Sequence, residues 1–141
     1  MYIVDDCVIV KSMDNLPKQP RGELAIRALA MPSNTNPNGD IFGGWLVSQM
    51  DLAGLSVAAR RSKSRVTTVA IDKIVFMKPV HVGDFVCCYA ELMKVGCTSM
   101  QVKIEVWAIG TTNEHRHQVT EGVFTYVAID KAGRPTPVDH S

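Results

Sequence analysis

Apolar positions follow two different periods along this chain, and the change between them divides it. Residues 43–61, "GGWLVSQMDLAGLSVAARR", are apolar on nearly every side of a helical wheel, which predicts a helix buried over most of its surface. After it the pattern becomes that of strands. Over residues 98–109, Met100, Val102, Ile104, Val106 and Ala108 fall on one face and Gln101, Lys103, Glu105 and Trp107 on the other. Further strands are predicted over 66–78, 85–95 and 117–130. They are separated by "KPVHVGD" (78–84), by Gly96 and by "GTTNEH" (110–115). Before the helix, residues 23–31 read as a strand or a short helix, and the alternation of Leu24, Ile26, Ala28 and Ala30 favours the strand. The stretch "PSNTNPNGD" (32–40) holds turn-forming residues throughout and predicts an ordered loop. Connections of hairpin length make the sheet antiparallel. One buried helix lying on a curled antiparallel sheet is an α+β design. Gly54 inside the helix costs about 1 kcal/mol relative to alanine, and predicts that another backbone approaches closely there.

Length and composition narrow the picture. The chain has 141 residues, which fits one domain. That domain is expected over residues 22–133, after a polar, proline-containing lead-in (1–21) and before a polar tail (134–141). The net charge is +1, so there is no bulk attraction to nucleic acid or to an acidic membrane surface. Ser48, Gln49, Asp51 and Ser56 interrupt the longest apolar stretch, which makes it a poor membrane span. The four cysteines, Cys7, Cys87, Cys88 and Cys97, include no CxxC pair, and no signal peptide precedes them; the expected location is a reducing cytoplasm. His115 and His117 share a strand face without a third ligand at metal spacing, so no metal is expected.

Three features could carry chemistry. At the loop-to-helix junction "NPNGDIFGGW" (36–45), Gly43 and Gly44 leave backbone N–H groups bare at the positive end of a helix, where they can bind an oxyanion. Equally, the two glycines could serve only packing and capping. Asp51 is a carboxylate within an apolar helix, costly to bury unless paired or used; it is either an acid–base group or a residue hydrogen-bonded at a helix edge or a dimer seam. Arg60, Arg61, Lys63 and Arg65 at the helix C-terminus could hold phosphates or form a solvated end suited to the dipole. Geometry links the first two. Asp51 lies seven residues after Gly44 on nearly the same face, about 10 Å along the axis. Two groups acting on one carbonyl should both lie near it. If both act, the site joins the helix start of one subunit to Asp51 of another across a two-fold axis.

The segment "MPSNTNPNGDIFGGWLVSQMDLAG" (31–54) resembles the signature of hotdog-fold acyl-CoA thioesterases of the bacterial YciA type. The resemblance continues through residues 65–107 and the strand "VFTYVAID" (123–130), covering roughly 22–133. It implies a long central helix wrapped by a curved antiparallel sheet. It also implies a dimer as the active unit, joined sheet edge to edge and assembled further, here expected as a trimer of dimers. The implied reaction is hydrolysis of acyl-CoA to free acid and CoA, with CoA as part of the substrate and no separate cofactor. Asp51 is then the catalytic carboxylate, Gly43 or Gly44 the amide that polarises the carbonyl, and Asn36 and Asp40 the polar helpers. Val69, Ala70, Lys78, Lys94, Thr98 and Ser99 are implied for CoA binding. Phe42 stands where some relatives carry histidine, which argues against histidine-assisted chemistry and against a dehydratase. Cys97 stands where relatives often carry a basic residue. A non-catalytic acyl-CoA-binding module on the same fold is the rival expectation.

Overall fold

The computed structural model describes residues 19–110 and 115–139. Most of the lead-in and the central residues of the 110–115 turn lie outside the described residues, as do Cys7 and His140. One helix, α1 (Gly43–Ser62), packs on a five-stranded sheet of β1 (Glu23–Leu29), β2 (Arg65–Phe76), β3 (Phe85–Val95), β4 (Ser99–Ile109) and β5 (Arg116–Ile129). Every pairing is antiparallel, in the order β1-β3-β4-β5-β2. The strand that leaves the helix therefore crosses to the far edge, and β3, β4 and β5 fill the space between as a meander. The helix touches all five strands, as expected of a sheet curved around it.

The helix begins without a side-chain cap after the extended Phe42. It ends at Lys63, which takes the left-handed conformation (φ 54°) and donates its N–H to Ala59. Arg60 and Arg61 in the last turn suit the dipole. Leu46, Met50, Ala53, Gly54, Val57 and Ala58 recur at helical spacing and are buried. They meet Met100, Val102, Ile104, Val106, Phe124, Tyr126 and Ala128 from the sheet in one core. The helix is not buried on most sides, however. Leu52 (53% exposed) and Leu55 (36%) face outward, because the sheet covers one flank only.

Two further expectations change. The outer face of β4 is not uniformly polar: Glu105 and Trp107 are buried, with the Trp107 indole N–H donating to Glu105 Oε1 at 3.0 Å and the Arg21 backbone N–H at 3.3 Å. The polar tail is docked as far as Val138. Its N–H donates to the Cys97 carbonyl and its side chain is buried in the core. Cys87 and Cys88 point to opposite faces as adjacent strand residues must, yet both are buried.

Candidate active site

Asp51 sits mid-helix, half-buried. The Thr68 hydroxyl on β2 donates to its Oδ1 at 2.7 Å. The Tyr126 hydroxyl on β5 lies 3.1 Å from the same oxygen and 2.9 Å from the Asp51 carbonyl oxygen. Thr68 and Tyr126 are directly paired across the β2–β5 ladder, so their side chains rise side by side from one face of the sheet. Tyr126 is fully buried. Burial first, then the nearby Asp51 charge and the hydrogen bond to it, push its phenol well above the usual range, so it remains a donor. Gly54 makes this arrangement possible. A Cβ there would lie 2.2 Å from the Tyr126 hydroxyl oxygen and 2.8 Å from Ile104 Cδ1. The close approach predicted at Gly54 is thus made by a side chain, not by another backbone.

The second group gathers at the helix start. Among the described residues, the N–H groups of Gly43 and Gly44 meet no acceptor, while Trp45 and Leu46 both donate to the Phe42 carbonyl. A Cβ at Gly44 would lie 2.7 Å from the Phe42 ring, whereas one at Gly43 would make ordinary contact with Phe76 at 3.5 Å. Asn36 shapes the preceding loop: its Oδ1 accepts from the Asn38 and Asp40 N–H groups at 2.9 and 3.2 Å, an arrangement suited to asparagine in turns. The Asp40 carboxylate lies 3.5 Å from His81 Nδ1. Asn36, Asp40, Gly43 and Lys78 line one pocket of about 290 Å³, together with Phe76 and Val80. Gly44 opens instead on a neighbouring hollow of about 460 Å³ beside Phe42 and Trp45.

The remaining candidates are dispersed. Val69 and Ala70 follow Thr68 on the edge strand, at a register shift that leaves Val69 unpaired with β5 and 55% exposed. Lys94, Thr98 and Ser99 belong to the β3–β4 hairpin. Ser99 pairs with Val127, near the Arg65 end of the β2–β5 ladder, whereas the Lys78 N–H donates to Val119 beyond its other end. A single protomer does not bring Lys78 together with the hairpin residues. The basic cluster is largely occupied with the chain's own acceptors: Arg60 with Glu23 at 2.6 Å, Arg61 with Asp139 at 2.9 Å, and Arg65 with the carbonyls of Asp130 and Lys131. His117 is half-buried. Desolvation first, then the Lys78 charge, lowers its pKa below the ordinary histidine value, against an opposing effect of Asp84. Among the described residues, no group of three or more His, Cys, Asp or Glu side chains is placed to hold a metal ion.

Sequence reasoning missed Thr68 and Tyr126. The available signal was a hydroxyl at an inward position of each strand: Tyr126 shares the face of Phe124 and Ala128, both fully buried.

Known proteins resemble this chain in sequence and fold. Residues 38–114 match the family model described as the thioesterase superfamily. The chain is 49% identical over 130 residues to the acyl-CoA thioester hydrolase YciA of Salmonella typhimurium, covering 90% of this chain and 96% of the relative. Among solved structures, it is similar to a hexameric thioesterase from Yersinia pestis (50% identity, TM-score 0.83, covering 86% of this chain and 100% of that one). It is also similar to a hexameric hotdog-fold thioesterase of Campylobacter jejuni (42% identity, TM-score 0.79, covering 84% and 91%). With one helix on an antiparallel curved sheet, a family model spanning the helix junction and relatives matched over most of both chains, this chain belongs to the thioesterase superfamily and has its hotdog fold.

Proposed function

We propose that this protein hydrolyses acyl-CoA thioesters to the free carboxylic acid and CoA, with Asp51 as the general base. The observation that carries this reading is a half-buried carboxylate on the central helix, held by two hydroxyl donors, in a chain of the thioesterase superfamily. In the reaction, Asp51 takes a proton from water as the water oxygen bonds to the thioester carbonyl carbon. The resulting oxyanion is held by the free N–H of Gly43 or Gly44 at the positive end of a helix. The C–S bond then breaks, and the proton passes from Asp51 to the departing thiolate. CoA is part of the substrate, and no separate cofactor enters.

The active unit we propose is a homodimer, within a trimer of dimers. Gly44 and Asp51 lie about 10 Å apart along one axis, too far for both to reach one carbonyl, so each site takes its glycine N–H from the other subunit. Exposed Leu52 and Leu55 on the helix, with Val69, Ile71 and Val75 on the free edge β2, supply the apolar surface for that pairing. CoA then lies along β2, past Val69 and Ala70, with Lys78, Lys94, Thr98 and Ser99 contributed from different subunits. Asn36 and Asp40 shape the loop at the glycine pair. Three unbridged cysteines, Cys87, Cys88 and Cys97, fit a reducing cytoplasm.

Release of free thiol from acyl-CoA, followed for the wild type and for Asp51→Asn, tests the chemistry. The expected loss of turnover is about 10²- to 10⁴-fold at unchanged assembly mass. Near-normal turnover would remove Asp51 from the mechanism. Gly43→Pro deletes an N–H at the first helical position, where proline is tolerated. Mixed oligomers of this chain with Asp51→Asn should regain activity at one of the two sites in each mixed dimer. Mixtures that stay as inactive as the parents would refute the shared site.

A further inference from the structure

We infer that Thr68 and Tyr126 are positioning residues that hold the Asp51 carboxylate in one orientation, with Oδ1 turned to the sheet and Oδ2 left as the atom that accepts the proton from water. The inference rests on the reading of Asp51 as the base, and goes beyond it by assigning the reacting atom and the residues that present it.

Both hydroxyls converge on the same oxygen. Thr68 donates to Oδ1 at 2.7 Å and the Tyr126 hydroxyl lies 3.1 Å from it. Among the described residues Oδ2 receives no donor, so its lone pairs are open. An aspartate on a helix has several rotamers, and two donors fixed on different strands select one of them. The donors are themselves fixed. They are cross-strand partners in the β2–β5 ladder, and Tyr126 is fully buried and also within 2.9 Å of the Asp51 carbonyl oxygen. The phenol is thereby tied to the helix backbone as well as to the carboxylate, which sets the height of the sheet against the helix at this point. Its raised pKa keeps it protonated, so it does not compete with Asp51 for the proton of water. Gly54, one turn further along, lacks the Cβ that would occupy the space of the hydroxyl.

The test uses the full-length assembled protein with Tyr126→Phe, Thr68→Val and Thr68→Ser, and measures kcat and KM by thiol release from one acyl-CoA. Misplacement of a reacting group by about 1 Å can cost up to about 10²-fold. Tyr126→Phe and Thr68→Val should therefore lower kcat by about 10- to 100-fold, with KM little changed. Thr68→Ser, which restores the hydroxyl, should return kcat close to wild type. Assembly mass and circular dichroism identify folded variants, and the Thr68 pair alone suffices if Tyr126→Phe does not fold. Wild-type kcat in folded Thr68→Val and Tyr126→Phe would overturn the inference, as would a Thr68→Ser variant no better than Thr68→Val. Asp51→Asn in parallel separates the two ideas. If it is inactive while the positioning variants are normal, only this inference fails; if it is active, the general-base reading fails first.

Discussion

In an exposed helix, replacing glycine by alanine stabilises by about 1 kcal/mol. At Gly54 the same change should do the reverse. The added Cβ would meet the Tyr126 hydroxyl oxygen at 2.2 Å, Tyr126 Cζ at 2.8 Å and Ile104 Cδ1 at 2.8 Å. Tyr126 and Ile104 are both fully buried, so neither can swing into solvent, and the ring or the helix must shift. Overpacking of this kind costs about 1–3 kcal/mol. Against the gain of about 1 kcal/mol in helix propensity, the net loss is up to about 2 kcal/mol. With an unfolding entropy of about 2.1 cal/mol/K per residue, that lowers Tm by up to about 7 °C. The hydroxyl also loses its place beside Asp51, so kcat should fall along with stability. Thermal unfolding at fixed protein concentration and a thiol-release assay measure the two effects. Gly54→Ala combined with Tyr126→Phe removes the nearest clashing atom, and should recover part of the stability but none of the activity, a coupling read from a double-mutant cycle. A Gly54→Ala protein that is more stable than wild type and turns over normally would refute the reasoning.

Glu105→Ala leaves the Trp107 indole N–H and the Arg21 backbone N–H without their buried acceptor, which should cost about 1–3 kcal/mol; Glu105→Gln, which keeps an acceptor, should cost less. A urea midpoint for the alanine variant equal to that of wild type would show that the network contributes nothing. Burial first and neighbouring Cys87 second push the Cys88 thiol up to about 12, so a thiolate-directed alkylating reagent at pH 8 should label exposed Cys97 and spare Cys88. Peptide mass mapping reads this directly, and labelling of both at similar rates in the folded protein would contradict the buried, protonated state.

Much of the fold was legible because it depends on local periodicity. The run of β3 over Phe85–Val95 and the inward row Met100, Val102, Ile104, Val106 and Ala108 of β4 were read directly, since alternation fixes which side of a pleated strand is apolar. The start of the helix at the glycine pair followed from the change of period and from the turn residues before it. The partners of Asp51 were not legible. Thr68 and Tyr126 stand 17 and 75 residues away from it, and no local pattern states which inward hydroxyl will meet which helical carboxylate. The burial of Glu105 was not legible for a related reason: alternation placed it on the outer face, and its donors come from the distant Arg21 backbone and the Trp107 side chain.

The sequence by itself determined the class of fold, the limits of the helix and three long strands, and the loop-to-helix motif. These are consequences of residue spacing along one chain. Tertiary structure decided the rest. It placed β2 at the sheet edge, opposed Thr68 to Tyr126, and turned Gly54 from a helix flaw into the space for a phenol. It also left Leu52 and Leu55 uncovered on the outer side of the helix. Each of these depends on crossing distances and on which strands become neighbours. Those are set when the sheet closes on the helix, and they have no signature in the local order of residues.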